Sequence, residues 1–206
     1  MEQAHRPCVN FTLSSATKTE VNRLFDENHY IGSQCADPTK ILVYRLPGGL
    51  FGDKGDPIVA AIFAPPASKS WGNALELVRL VRRPDAQSVF LTKFLSDCEK
   101  LLKREKKFRL LVAYADESVG HHGGIYQAAS WLYVGLSSRK RIYRNQYTGK
   151  VMSQRAFDQS TLKNDPAWLH SNTGRKHTYV FPLTDKGWRA WSMKHRPYPK
   201  PLKVAP

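Results

Sequence analysis

The feature that most constrains this chain is a buried strand that runs directly into a loop of glycine and histidine. The stretch covers residues 109–135 and reads RLLVAYADESVGHHGGIYQAASWLYVG. Its apolar run ends at Asp116, and a short helical pattern that begins at Ile125 leads into a second strand-like run. Carboxyl, imidazole and phenol groups thus follow one strand, at the end where α/β enzymes commonly place their sites. We therefore predict an enzyme whose active site includes this loop.

The rest of the sequence predicts a mixed α/β fold with alternating strands and helices. Thr17 and Glu20 form a capping-box pattern that opens a helix, and apolar residues from Leu91 to Leu102 recur at helical spacing. Strand-like runs lie at 8–13, 41–46, 58–63, 75–81, 108–114, 132–136 and 176–183. A chain of 206 residues is most simply one domain. Within residues 1–206 we predict a basic segment at 139–175 and an irregular, Pro- and Lys-rich tail at 197–206.

Positive charge is concentrated in the last third of the chain. Residues 139–206 hold 15 Lys and Arg against 3 Asp and Glu, whereas residues 1–138 hold 17 against 14. Aromatic residues are interleaved with these cations, and cations bind phosphates while aromatic rings stack on bases. We therefore predict contact with nucleic acid through Arg139, Lys140, Arg141 and Arg144. The alternative is a solvated basic surface that aids solubility.

The three cysteines have no paired spacing, which predicts a reducing compartment and no disulfide framework. No apolar run approaches the 18 residues or so that a membrane span needs. The first residues, MEQAHRPC, lack the apolar segment of a secretory signal. We therefore expect a cytoplasmic protein with no membrane partner.

The loop motif resembles a known family. The order Tyr-Ala-Asp at 114–116, His-x-Gly-x-Ile-Tyr-Gln-Ala at 121–128, then an aromatic and Tyr-x-Gly, is similar to the Mom family of bacteriophage DNA-modification proteins. The resemblance covers roughly 11–135 and resumes at 176. It implies a GNAT-like α/β (α+β) fold, with a mixed central sheet flanked by helices. It also implies conversion of adenine in double-stranded DNA to N6-(carbamoylmethyl)adenine, which shields phage DNA from host restriction.

The resemblance also assigns roles to particular side chains. His29 and Asp116 would orient and deprotonate the adenine amine, and Tyr126 would donate a proton toward the leaving group. Tyr30 and Trp131 would stack on an extruded base. Each has a structural alternative: His29 as a helix cap, Asp116 as a loop cap, and the aromatic residues as core packing.

Further substrate contacts are expected from Ser68, Arg79 and His121, which lie in segments that match the family. Ser68 closes a Pro-Ala-Ser turn that should border the substrate cleft. Glu76 and Arg79 are three residues apart, so in a regular strand they would point to opposite faces of the sheet.

The group donor is predicted from a departure from the family fold. CoA-binding GNAT proteins usually carry a glycine-rich phosphate loop, whereas residues 82–88 contain no glycine and include Asp85. Helix N-terminal amides with Arg82, Arg83 and Ser88 would still bind an anion. The donor is therefore expected to be activated glycine, such as glycyl-tRNA, with acetyl-CoA as the alternative. A tRNA donor would make tRNA a second partner.

Two alternative functions remain open at this point: an ordinary N-acyltransferase for a protein or small-molecule amine, and a non-catalytic nucleic-acid-binding protein. A separate alternative for the site residues themselves is a non-haem iron site built from His29, Asp116, His121 and Tyr126. No local spacing such as His-x-Asp supports it, so our site prediction includes no metal.

Overall fold

The structure, a computed structural model, describes residues 11–29, 38–46, 55–87, 89–117 and 120–200. Its ten strands are β1 Leu13–Ser15, β2 Lys40–Arg45, β3 Pro57–Ala64, β4 Ala74–Arg82, β5 Leu110–Asp116, β6 Leu132–Leu136, β7 Arg141–Asn145, β8 Val151–Ser153, β9 Trp168–Asn172 and β10 Lys176–Pro182. Its α-helices are α1 Lys18–Asn28, α2 Leu91–Glu105, α3 Gly124–Ala128, α4 Gln154–Asp158 and α5 Asp185–Ser192. Within the described ranges no helix is both long and apolar enough to cross a membrane.

Seven strands form one mixed sheet in the order β1-β2-β3-β4-β5-β10-β6. All neighbours in it are antiparallel except β4 and β5, which are parallel. Helices α2 and α3 cover one face, where Phe94 and Leu95 pack against the buried residues of the strands. Helix α1 packs on the opposite face through Val21 and Phe25, and α5 joins that face through Trp191. The predicted α/β class with a mixed central sheet is confirmed.

The parallel pair β4 and β5 separates partway along its length. Pairing runs from Ala74 opposite Leu110 to Leu77 opposite Ala113 and then stops, although both strands continue. Two diverging parallel strands leave a cleft between their carboxyl ends, and such a crevice is where open α/β sheets commonly bind ligands. The divergence therefore decides where the candidate site lies.

A β-bulge in β4 changes which side chains share a face. Phe63 of β3 is opposite Leu77, but Ile62 is opposite Arg79, so Val78 is an extra residue in the ladder. Glu76 and Arg79 therefore lie on the same face of the sheet, because a bulge shifts the alternation by one residue. The expectation that they point to opposite faces is wrong, since it assumed a regular strand.

Residues 139–175 contain a second, three-stranded sheet in the order β8-β7-β9. Helix α4 packs on it, with the Phe157 ring stacked on Tyr143 at 3.7 Å between centroids and Trp168 beside it at 5.9 Å. This inserted sheet connects β6 to β10, which are adjacent antiparallel strands with Leu136 opposite His177. The predicted basic segment is therefore a folded unit that projects from one edge of the main sheet.

Most other elements agree with the sequence-based predictions. The capping box is present, since Thr17 N–H donates to Glu20 Oε2 at 2.7 Å and Glu20 N–H donates back to Thr17 Oγ1 at 3.3 Å. The first strand is β1 rather than 8–13, and residues 8–10 lie outside the described part, as do residues 201–206 of the tail. Helix α5 was not predicted.

Candidate active site

The opening between β4 and β5 is a cleft with a volume of about 580 Å³. The bulged half of β4 forms one wall, and Tyr114 and Ala115 of β5 form another. The end of α1 closes one side, and the loop at 120–124 with the start of α3 closes the other. The predicted site residues that line this cleft are His29, Arg79, Arg82, His121 and Tyr126.

His29 stands at the end of α1, where its backbone N–H donates to Phe25 O at 2.9 Å. It therefore ends the helix and also lines the cleft, while its role as a base stays a prediction. Burial, together with the positive charges of Arg79 and His121, lowers the pKa of His29 to about 4. At neutral pH the imidazole is uncharged, so one of its two ring nitrogens carries no proton.

The loop that carries His121 is fixed by a hydrogen-bond network to β10. The Tyr179 hydroxyl donates to His122 O at 2.5 Å, and Gln127 Nε2 donates to the Tyr179 hydroxyl at 3.1 Å. Gly123 has φ +82°, and a Cβ there would lie 2.3 Å from Tyr179 Cε2. Only glycine therefore allows the loop to rest on this ring, and the contact sets the position of α3 that follows.

Tyr126 lies in the first turn of α3 and lines the cleft. It is 8% exposed, and its ring packs against those of Trp131 and Tyr179, each at 5.3 Å between centroids. Packing on two sides restricts the ring to one orientation. A phenol held in this way is well suited to donate a proton to a bound leaving group.

Asp116 ends β5 and does not line the cleft. Its carboxylate forms an ion pair with Lys176 Nζ at 3.2 Å, and its backbone carbonyl accepts a hydrogen bond from His121 N–H at 3.0 Å. It shares a face of the sheet with Tyr114, because the two residues are two apart on one strand. The structure therefore brings His29 rather than Asp116 into the cleft, and Asp116 stands at its rim.

Trp131 belongs to the core and not to the cleft. It has 0% exposure, and its Nε1–H donates to Glu99 Oε1 at 2.6 Å. Burial raises the pKa of Glu99 to about 7, against the opposing effect of this hydrogen bond. The expected role of Trp131 in stacking on a substrate base is corrected, because a fully buried ring presents no face to a ligand.

The predicted donor-binding residues are dispersed. Arg82 lines the cleft and donates to Val89 O at 2.9 Å, whereas Arg83 lies outside it and forms a two-point ion pair with Asp85. A 3₁₀ turn, Pro84–Ala86, occupies the place of a glycine-rich loop. Asp85 thus neutralises the guanidinium of Arg83 in this structure, and donor binding by Arg83 stays a prediction. The described residues of this segment, 82–87, contain no glycine.

Two further predicted residues, Tyr30 and Ser88, lie outside the described residues. Ser68 caps a 3₁₀ turn, with its hydroxyl bonded to that of Ser70 at 2.7 Å, and it does not line the cleft. Across the described part of the chain no three His, Cys, Asp or Glu side chains are grouped to hold a metal ion. The iron alternative therefore has no support.

Two residues in or beside the cleft were quoted in the sequence motifs but were not predicted to have a role in the site. Tyr114 lines the cleft and accepts a hydrogen bond from Trp71 Nε1 at 2.9 Å. Glu76 lies on the same face of the sheet as Arg79. Burial raises the pKa of the Glu76 carboxyl, while the positive charges of Lys140, Lys176 and Arg79 act in the opposite direction. The alternation of side chains along β5 was sufficient to place Tyr114 on the same face as Asp116. Placing Glu76 on the same face as Arg79 required knowledge of the bulge in β4.

The predicted DNA-contacting cations are exposed on and beside the inserted sheet. They are Arg139, Lys140, Arg141 and Arg144. Arg141 and Arg144 lie on β7, the central strand, and Lys140 precedes it. The charge of Lys140 acts on the Glu76 carboxyl, so the base of the inserted sheet is electrostatically coupled to the main sheet near the site.

The fold is similar to that of solved acetyltransferases. An acetyltransferase from Bacillus subtilis in complex with CoA is 10% identical, with a TM-score of 0.51 over 85% of this chain and 100% of that one. An N-acetyltransferase from Staphylococcus aureus Mu50 is 14% identical, with a TM-score of 0.50 over 85% and 99%. These likenesses establish a GNAT acetyltransferase fold. No curated protein sequence matches, but the model of the Mom protein family matches residues 10–200.

Proposed function

This chain belongs to the Mom protein family, and from that premise we propose that it converts adenine in double-stranded DNA to N6-(carbamoylmethyl)adenine. Family and fold make it an acyltransferase-like DNA-modification enzyme. The single observation that carries the adenine proposal is the cleft, where an uncharged His29 stands with Arg79, His121 and the phenol of Tyr126. In its host, the modification would protect phage DNA from restriction enzymes.

The chemistry requires a base and an acid on opposite sides of the reacting atoms. The exocyclic amine of adenine is a weak nucleophile, because its lone pair is delocalised into the ring. In our proposal His29 removes a proton from this amine and Tyr126 donates one toward the leaving group. Asp116, at the rim, holds the amine or the loop in place. An ordered cleft adds the advantage of fixed orientation.

The donor in our proposal is an activated glycine, such as glycyl-tRNA. Attack of the amine on the glycyl ester carbonyl breaks the ester C–O bond, releases the tRNA hydroxyl and gives adenine-NH-CO-CH2-NH2. The glycyl amine then attacks ring carbon C6 through a five-membered ring, and the original C6–N bond breaks. The product, adenine-NH-CH2-CO-NH2, is an isomer of the first adduct, so no further reactant is needed. The glycine-free segment at 82–88 supports a donor that needs no CoA cradle.

Isotope feeding tests the reaction and the donor together. Cells that express the chain are fed glycine labelled with 15N and 13C, and nucleosides from their DNA are analysed by mass spectrometry. We expect one modified adenine that carries all three labelled atoms as a unit. On fragmentation, loss of the terminal amide nitrogen should remove unlabelled ammonia, because the glycine nitrogen has become bonded to the ring.

Other outcomes contradict specific parts of the proposal. Label from acetate, with activity of purified protein and acetyl-CoA alone, would exclude the glycine donor and leave N6-acetylation as the first step. Unmodified DNA together with an acylated protein or small amine would establish the ordinary N-acyltransferase alternative. No modification of any substrate would leave a nucleic-acid-binding protein.

DNA binding in this proposal depends on the inserted sheet. Each phosphate that a cation neutralises releases counterions, so log K falls with log salt by about 0.9 for each contact. We expect that replacing Arg139, Lys140, Arg141 and Arg144 together with glutamine reduces this slope by about 2–4. Fluorescence anisotropy of a labelled duplex at several salt concentrations measures it.

The matched control removes the same charge elsewhere. Lys100, Arg104, Lys106 and Lys107 are exposed at the end of α2, outside the inserted sheet. Their replacement with glutamine should leave the slope nearly unchanged. Equal slopes for the two quadruple variants would place the DNA-binding face elsewhere on the molecule.

A further inference from the structure

A second pocket, about 550 Å³ in volume, lies on the face of the sheet that α5 covers. Two indoles form part of its wall, since the rings of Trp71 and Trp191 lie 5.7 Å apart between centroids at an angle of 31°. Lys194 and Arg196 also line it, and Lys194 Nζ stands 4.6 Å from the centre of the Trp191 ring. None of its described lining residues is acidic. The pocket therefore combines aromatic surface with positive charge.

This aromatic-basic pocket adjoins the candidate active site. Trp71 Nε1–H donates to the Tyr114 hydroxyl at 2.9 Å, and Tyr114 lines the cleft between β4 and β5. Asp116 is two residues further along β5 on the same face, which is about 7 Å along a strand. The distance from a ligand in the aromatic-basic pocket to a ligand at the cleft rim would therefore be about that between neighbouring nucleotides of one strand.

The wall that carries the cations is fixed by contacts to β6. Arg196 N–H donates to Tyr133 O at 2.8 Å, and the Tyr198 hydroxyl donates to Trp131 O at 3.0 Å. The Arg196 guanidinium lies over Gly135, where a Cβ would come 3.0 Å from Arg196 Nη1. These bonds tie the segment after α5 to the sheet, and so hold its cations in the wall of the pocket.

Aromatic faces and cations in one pocket match the two parts of a nucleotide. Indole rings stack on any base, and Lys and Arg bind the phosphate beside it. Trp131 cannot supply a stacking surface, because it is buried, whereas Trp71 and Trp191 are partly exposed. We propose that this pocket binds the unpaired nucleotide next to the target adenine in an opened DNA strand. The inference rests on the proposed function, since enzymes that modify a base take it out of the stack.

The test compares the affinities of the protein for two DNA probes, so that electrostatic attraction to phosphates contributes equally to both. One probe is a fully paired, labelled duplex. The other has the same labelled strand, but two of its nucleotides, one of them adenine, are left unpaired by the opposite strand. We expect wild-type protein to bind the second about tenfold more tightly. Lys194→Glu should abolish that preference. The matched variant Lys186→Glu makes the same charge change at an exposed position of α5 outside the pocket, and should keep it.

Aromatic stacking is tested with Trp191→Phe and Trp191→Leu. The phenylalanine variant should retain most of the preference and the leucine variant should lose it, with circular dichroism to verify that both are folded. Equal preferences in Lys194→Glu and Lys186→Glu would overturn the inference. The inference would also be overturned if Lys194→Glu weakened binding of tRNA but not of unpaired DNA. The pocket would then bind the donor. Nucleoside analysis of DNA from expressing cells is a separate readout. If adenine is modified but Lys194→Glu keeps the preference for unpaired DNA, only the proposed role of the pocket is refuted and the proposed function stands.

Discussion

Replacing His29 with alanine, or Tyr126 with phenylalanine, is expected to lower adenine modification by about 10²–10⁴-fold, the usual contribution of a positioned base or acid. His29 is uncharged and lines the cleft, so its loss removes the proton acceptor. Tyr126→Phe removes only the hydroxyl and retains the ring that packs against Trp131 and Tyr179. The measurement is the modified fraction of adenine in DNA from expressing cells, normalised to soluble protein.

Two matched variants control for the change of residue type. His170→Ala removes an exposed imidazole from β9. Tyr133→Phe removes a buried hydroxyl, bonded to His177 Nδ1 at 3.1 Å, from a residue that does not line the cleft. Both should modify DNA within a few-fold of the wild type. Near-normal activity in His29→Ala and Tyr126→Phe would refute our assignment of base and acid.

The largest expected loss of stability follows substitution of Trp131. Trp131→Ala removes a fully buried ring and leaves a cavity, which typically costs about 3–5 kcal/mol of unfolding free energy. It also leaves the buried Glu99 carboxyl without its indole partner, which adds to the cost. The urea midpoint, measured by circular dichroism, should fall accordingly or the variant should not accumulate.

Trp131→Phe separates the two contributions, because it retains a ring but removes the Nε1–H donor. An intermediate midpoint is expected. The outcome also tests the corrected role of this residue, since a base-stacking tryptophan would affect DNA binding and leave stability unchanged. A stable Trp131→Ala variant with weakened DNA binding would restore the original expectation.

Local signals allowed much of the fold to be predicted. The Thr17–Glu20 capping box needs only residues three apart, and the apolar repeat from Leu91 to Leu102 needs only helical periodicity. Asp116 ends its strand as predicted, because the change from apolar to polar residues is also local. The local motif of 121–128 likewise indicated a family that the match over residues 10–200 confirms.

The errors came from interactions between distant segments. The bulge at Val78 depends on how β4 pairs with β3, so the shared face of Glu76 and Arg79 was not visible in the spacing. Trp131 is buried in a core built from several elements, and its hydrogen-bond partner Glu99 is 32 residues away. Strands β7–β9 are short, and β9 is mostly exposed, so the sequence lacks the buried alternation by which strands are recognised.

The connection of the inserted sheet has a consequence for how such enzymes diversify. Residues 139–175 join two strands that are already neighbours, with Leu136 opposite His177. The ends of this segment therefore stay close together whatever lies between them, and the entropy of closing a longer or shorter loop changes only slowly with its length. If the inserted sheet contacts DNA as proposed, sequence preference can therefore change by exchange of residues 139–175 without a change in the cleft. Relatives with different target sequences should then differ most in these residues, and transplanting the segment should transfer the preference.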